Sequence, residues 1–266
     1  MQGNQTSRSD VIIVEDLWKT YKIPVVRQFK LHEYLSSIIL RKNRGYIKLP
    51  IFEGISFRVK EGESLGIIGD NGSGKSTLLK ILARIIYPDK GHIQVKGRIA
   101  PFIELGAGFD YDYTAVENIF LYGAIMGLSR NYITKVLPDI FEFAELEKFR
   151  LMKLRNFSTG MMLRLAFATA IQMNSDILLI DEVLAVGDKD FQKKCINKIF
   201  EYKQKKKTIM FVSHALSKVQ EICDNSLWLK KGEIASYGKS EKVIKDYEDY
   251  IDEKVAKRLE GETKKL

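Results

Sequence analysis

Cysteine is nearly absent from this chain. Cys195 and Cys223 are the two in 266 residues, far apart and without metal-ligand spacing. That leaves no disulfide framework and no cysteine metal site to build. Both fall in helix-like stretches and are expected as buried free thiols of a reducing compartment. Long apolar runs are also missing: none approaches the roughly 20 residues needed to span a bilayer. The first residues, Met1 to Asp10, are polar and carry no apolar signal core, so residues 1–10 are expected to be disordered. Internal repeats, low-complexity tracts and coiled-coil heptads are absent as well. What remains is a globular chain, soluble in its own right or peripheral to a membrane through a partner. Its length suits one large domain, or one domain with additions. A hydrophobic content of 45% is ordinary and permits a sizeable core.

Negative charge is scarce in one segment. The formal net charge is +9. Between Lys19 and Lys48 stand Lys19, Lys22, Arg27, Lys30, Arg41, Lys42, Arg44 and Lys48, against Glu33 alone. A basic stripe of this kind suits nucleic acid, an anionic membrane surface, or simply a solvated face.

The most informative stretch is Gly69-Asp70-Asn71-Gly72-Ser73-Gly74-Lys75-Ser76, which meets every fixed position of G-x-x-x-x-G-K-[ST]. Ser64 to Ile68 reads as a buried strand entering it, and Ser76-Thr77 opens a helix to Leu82. The glycines let backbone N–H groups turn around an anion, and the helix N-terminus adds partial positive charge. Lys75 can reach the β- and γ-phosphates of a nucleotide, and the Ser76 hydroxyl can ligate Mg²⁺.

Two further apolar runs, 176–181 and 208–213, have the character of buried parallel strands, joined by a helix over about 189–203. The first ends in Asp181-Glu182. Asp181 can hold Mg²⁺ through water, and Glu182 can polarise a water for attack on the γ-phosphate. Strands are also expected at 11–14, 52–57, 91–95 and 98–103, with a hairpin near 227–234. Helices are expected over 114–144 and 160–173, and from Ser240 onward.

Phe157-Ser158-Thr159-Gly160-Met161 precedes the 160–173 helix, with Ser158 suited to cap it and Gly160 to close backbone approach. This segment resembles the signature motif of ATP-binding-cassette (ABC) ATPases, usually Leu-Ser-Gly-Gly-Gln; Thr159 and Met161 are the departures. The resemblance runs from about Val11 to Ser240 and implies further roles. Asp188, closing Val183-Leu184-Ala185-Val186-Gly187-Asp188, is similar to the D-loop aspartate. His214 resembles the switch histidine that contacts the γ-phosphate. Tyr21 resembles the aromatic that stacks on adenine. The Q-loop glutamine has no match, and Glu104, at roughly that position, would approach Mg²⁺ or the attacking water. Within the family, the Glu-Leu-Gly-x-Gly-Phe stretch, the Ser-[Ser/Thr]-Gly-Met signature, the D-loop and a basic insertion are similar to ATPases that export O-antigen or teichoic acid. Some O-antigen members carry an additional C-terminal carbohydrate-binding domain, which is not expected here.

The resemblance implies an α/β fold: a P-loop ABC-type nucleotide-binding domain over 11–240, with a mixed sheet, an insertion at 22–50 and a helical signature subdomain at about 114–163. Residues 241–266 form a C-terminal helix and tail. It implies ATP and Mg²⁺ as ligands. It also implies a homodimer in which each signature serves the other chain's nucleotide, and two integral-membrane permease subunits that handle a lipid-linked polysaccharide. The chain is then peripheral, on the cytoplasmic face of the plasma membrane, with no nucleic-acid partner. The rival expectation is a soluble ABC ATPase acting on ribosomes or nucleic acid through the basic insertion. Within that insertion, Leu31, Tyr34, Leu35, Ile38 and Ile39 fall on one helical face. That stripe packs on the domain's own sheet, or meets a membrane partner or lipid surface.

Overall fold

A computed structural model describes residues 9–24, 46–103, 105–181 and 187–263, with side chains to residue 257. Glu104, Glu182 and the expected helix over 30–42 lie outside the described residues.

Strands β1 (Asp10–Pro24) and β2 (Tyr46–Lys60) form a long antiparallel ribbon, paired from Asp10 with Lys60 to Pro24 with Tyr46. Strand β4 (Lys90–Val95) joins the other edge of β1. Asp10 already belongs to β1, and Glu61 N–H donates to the Ser9 carbonyl (2.9 Å), which ties this end down. The segment 22–50 is not wholly an insertion, because its two ends continue the ribbon.

The second sheet runs in the order β5 (Ile99–Phe102), β6 (Ile177–Asp181), β7 (Thr208–Val212), β3 (Ser64–Ile68), β8 (Asn225–Lys230), β9 (Glu233–Lys239). Its first five strands are parallel and β9 is antiparallel. β3 and β7 are buried along their whole length, as strands covered on both faces must be. Their side chains alternate between two cores. Leu65, Ile67, Leu179, Met210 and Val212 face a layer shared with Leu17 and Phe52 of the ribbon and with Leu78 and Leu82. Leu178, Ile180, Ile209 and Phe211 face the opposite layer, with Phe167, Phe191 and Trp228.

Helix α1 (Lys75–Leu82) leaves β3 and enters the first layer. Helices α2 (Ala115–Ile125), α3 (Arg130–Ala144) and α4 (Thr159–Gln172) surround a third apolar cluster around Ile119, Ile133, Phe141 and Leu165. The start of α2 is fixed by a capping box: Glu117 N–H donates to Thr114 Oγ1 (3.3 Å), and Thr114 N–H donates to the Glu117 carboxylate (2.7 Å). Helix α5 (Lys189–Gln204) joins β6 to β7. Helix α6 (Leu216–Ile222), absent from the sequence expectations, follows β7, and α7 (Ser240–Thr263) ends the described chain. No helix among the described residues is long and apolar enough to cross a membrane.

Cys195 and Cys223 are free and buried. Burial pushes the Cys195 thiol up to about 12 and raises that of Cys223 as well. Thiolate, the reactive form, is therefore scarce at pH 8. A disulfide thiol reagent should label neither cysteine until denaturant is added. Rapid labelling of the native chain would contradict this packing.

Candidate nucleotide site

The sheet order decides where a ligand can sit. β3 lies between β7 and β8, and the carboxyl ends of β3, β5, β6 and β7 point the same way. Ligands of parallel α/β sheets bind at that edge. A cleft of about 660 Å³ opens there.

The loop between β3 and α1 forms its floor. Lys75 is 6% exposed, and its Nζ donates to the carbonyls of Gly69 (2.8 Å) and Asp70 (3.0 Å). These bonds curl the loop around the ammonium. Gly69 has φ +145°, and a Cβ there would stand 2.2 Å from the Leu229 carbonyl oxygen, so a side chain is excluded. Gly74, at φ +105°, precedes α1 and packs against Phe52, whose ring a Cβ would meet at 2.7 Å. No side chain caps α1, and its first turn holds no acid. An uncapped helix start beside a buried lysine is an electropositive end that fits an anion. Ser73 Oγ is buried and has no hydrogen-bond partner among the described residues.

Of the expected loop residues, Asn71, Gly72, Gly74, Lys75, Ser76 and Thr77 line the cleft, and Gly69 and Ser73 do not. Asp181 and His214 enter from adjacent strands: Asp181 ends β6 opposite Val212 of β7, and His214 follows two residues later. Ser76 and Asp181 thus offer a hydroxyl and a carboxylate in one cleft, a hard oxygen pair that fits Mg²⁺ beside phosphate. Tyr21 lines the same cleft with Leu49, its partner across the ribbon, and Ile51. Leu49 and Ile51 were missed by sequence reading. The alternation of Ile47, Leu49 and Ile51 was the available signal, hidden inside what read as an insertion.

Three more of the expected residues, outside the loop, do not line this cleft either. Ser158 caps α4, accepting from Met161 N–H (3.2 Å), and is exposed; Gly160 follows within the first turn. Asp188 caps α5, accepting from Phe191 N–H (2.9 Å), and binds Arg164, which also pairs with Glu145 (2.9 Å). The Phe191 N–H, with the Arg164 charge beside it, holds the Asp188 carboxyl below the usual carboxylate range.

A solved dimer of the ATP-binding cassette MJ0796, in a post-hydrolysis state bound to ADP and Pi, shares the fold with TM-score 0.68 and 22% identity, over 86% of this chain and 98% of that one. The O-antigen export system ATP-binding protein RfbB of Klebsiella pneumoniae is 40% identical over 84% of this chain and 94% of its own length. The teichoic acids export ATP-binding protein TagH of Bacillus anthracis is 39% identical over 85% of this chain and 42% of its own. The chain spans about half the length of several such relatives. The ABC transporter family model matches residues 52–185, from β2 through the phosphate loop and signature to the D-loop. With the phosphate loop, Asp181 and His214 lining one cleft of this fold, the chain belongs to the ABC transporter family.

Proposed function

We propose that this chain is the ATP-hydrolysing subunit of an exporter for a lipid-linked cell-surface polysaccharide of the O-antigen or teichoic acid class. The observation that carries the catalytic half is the convergence of Lys75, Ser76, Asp181 and His214 around the uncapped start of α1. The names of its relatives, from both O-antigen and teichoic acid export, support the substrate class.

In this reading Tyr21 and Leu49 hold the adenine side, and the loop amides and Lys75 cradle the phosphates. Ser76 and Asp181 would hold Mg²⁺, which would neutralise phosphate charge when bound. Glu182 orients the attacking water, His214 steadies the γ-phosphate, and Glu104 stands near the same water. Ser158 and Gly160, which do not line their own cleft, serve the nucleotide of a second copy, with Asp188 at the subunit contact. The homodimer docks on two integral-membrane permease subunits at the cytoplasmic face of the plasma membrane. ATP favours the closed dimer, and this differential affinity drives the permease.

The test is the complex of this chain with its permease, reconstituted in vesicles. Lipid-linked O-antigen or teichoic acid polymer should stimulate ATP hydrolysis severalfold. Basal hydrolysis with no response to either polymer would remove the substrate class. No hydrolysis in the assembled complex would remove the ATPase itself.

A further inference from the structure

Asp70 is one of the variable positions of the phosphate loop, and the chemistry above gives its side chain no task. The structure gives it two partners from the far end of the chain. Tyr247 Oη donates to Asp70 Oδ1 (3.1 Å), and Lys254 Nζ donates to Oδ2 (2.6 Å). Both come from α7. Tyr247, Tyr250 and Lys254 lie three, four and seven residues apart, on one face of that helix. The helix is anchored by buried Val243 and Ile244, and Tyr247 and Tyr250 pack against the Trp228 ring of β8 at 5.5 and 5.2 Å. Lys230 sits over the Tyr250 ring at 3.9 Å.

The main chain of the same residue points the other way. The Asp70 carbonyl accepts from Lys75 Nζ (3.0 Å) and from Ser73 N–H (3.1 Å). One residue therefore joins α7 to the lysine that faces the phosphates. Its carboxylate is also an anion within a loop built to receive one. Unpaired, it would oppose a triphosphate; paired with Lys254, its charge is cancelled locally. The Lys254 hydrogen bond holds the Asp70 carboxyl below the usual carboxylate range, so the pair stays ionised at neutral pH.

We propose that α7 is a strap on the phosphate loop: Lys254, with Tyr247 beside it, pairs with and neutralises the Asp70 carboxylate, so that the loop presents no unpaired anion to the triphosphate, and this pairing sets the affinity for ATP. This rests on ATP occupying the cleft. It assigns to the C-terminal helix a role at the nucleotide site that none of the sequence motifs carries. The Lys254–Asp70 pair is partly exposed to solvent, which keeps the expected effect moderate and makes it sensitive to salt.

The experiment uses the full chain, with ATP affinity measured by calorimetric titration, and KM and kcat measured in the complex with the permease. Lys254→Ala should raise Kd and KM about three- to fivefold at low salt, with kcat reduced less than twofold, and the gap should narrow in high salt. Lys254→Arg should restore binding. The double variant Asp70→Asn with Lys254→Ala should bind ATP within about twofold of the parent, because no unpaired anion remains. A merely structural strap predicts the opposite: the double variant would be no better than the single. Parental affinity in Lys254→Ala, or no recovery in the double variant, overturns the proposal. If Lys254→Ala does not fold, Lys254→Gln, which also removes the charge, carries the same comparison. A parent that binds no ATP overturns the nucleotide reading along with the strap, whereas a parent that binds and variants that match it overturn the strap alone.

Discussion

Lys75→Ala is expected to lower ATP turnover by about a hundredfold or more, the scale on which one preorganised charge-stabilising donor acts in a transition state. Lys75 is buried at the first position of α1, and its ammonium is held by two carbonyls of its own loop. The phosphates of a nucleotide in the cleft would meet that ammonium already aimed, with no reorganisation to complete during reaction. Alanine removes the charge and both loop bonds, so binding should weaken as well. The fold should survive. Leu78, Leu79, Ile81 and Leu82 keep α1 in its core layer, and alanine is a good helix former. Hydrogen bonds to a charged group are worth about 1.5–3 kcal/mol each, a sizeable share of the roughly 5–15 kcal/mol that holds a domain. But alanine also removes the cost of burying the ammonium, so the variant should melt lower and still fold. The measurement is phosphate release by the purified variant beside its thermal unfolding. A well-folded Lys75→Ala protein with parental turnover would show that this loop is not the catalytic one.

The elements around that loop were legible because their chemistry is local. β3, β6 and β7 are continuous apolar runs, and a run buried on both faces reads the same in sequence and in structure. The loop was legible because glycine is required where φ is positive and a backbone carbonyl stands within reach. The ribbon was only half legible. Its far end, 22–24 and 46–50, is exposed and basic, so it lacks the burial that makes a strand stand out, and its pairing joins residues with a long segment between them. Helix α6 has only seven residues, too few to establish a period, and Val219 and Ile222 are its buried positions. The partners of Asp70 stood furthest from view. Tyr247 lies 177 positions downstream, and nothing local marks Lys254 as other than a surface charge. The separation of the signature from its own cleft, by contrast, was already implied by the family resemblance, and neither Ser158 nor Gly160 is among the residues that line the cleft.

That separation yields the second large effect. Gly160→Asp should leave the isolated chain folded and yet abolish most ATP hydrolysis. Gly160 stands two residues after the cap Ser158, in the first turn of α4, and a Cβ added there would meet only Ser158 Oγ, at 3.9 Å. An acid in a first turn is favourable, by about 0.3–1 kcal/mol, because it complements the helix dipole. The melting temperature should therefore hold or rise. The same carboxylate, turned toward the γ-phosphate of a second subunit, opposes closure. A like charge within about 10 Å costs about 1.7 kcal/mol at an effective dielectric near 20, more than a tenfold effect. Stability and activity thus move in opposite directions, which no unfolding artefact can produce. Mixing supplies the decisive arm. A heterodimer of Gly160→Asp with Lys75→Ala holds one site built from an intact phosphate loop and an intact signature. Hydrolysis should reappear in the mixture although each variant alone is inactive. Parental turnover by homogeneous Gly160→Asp, or an ATP-dependent dimer crosslink undiminished in it, would overturn the head-to-tail arrangement.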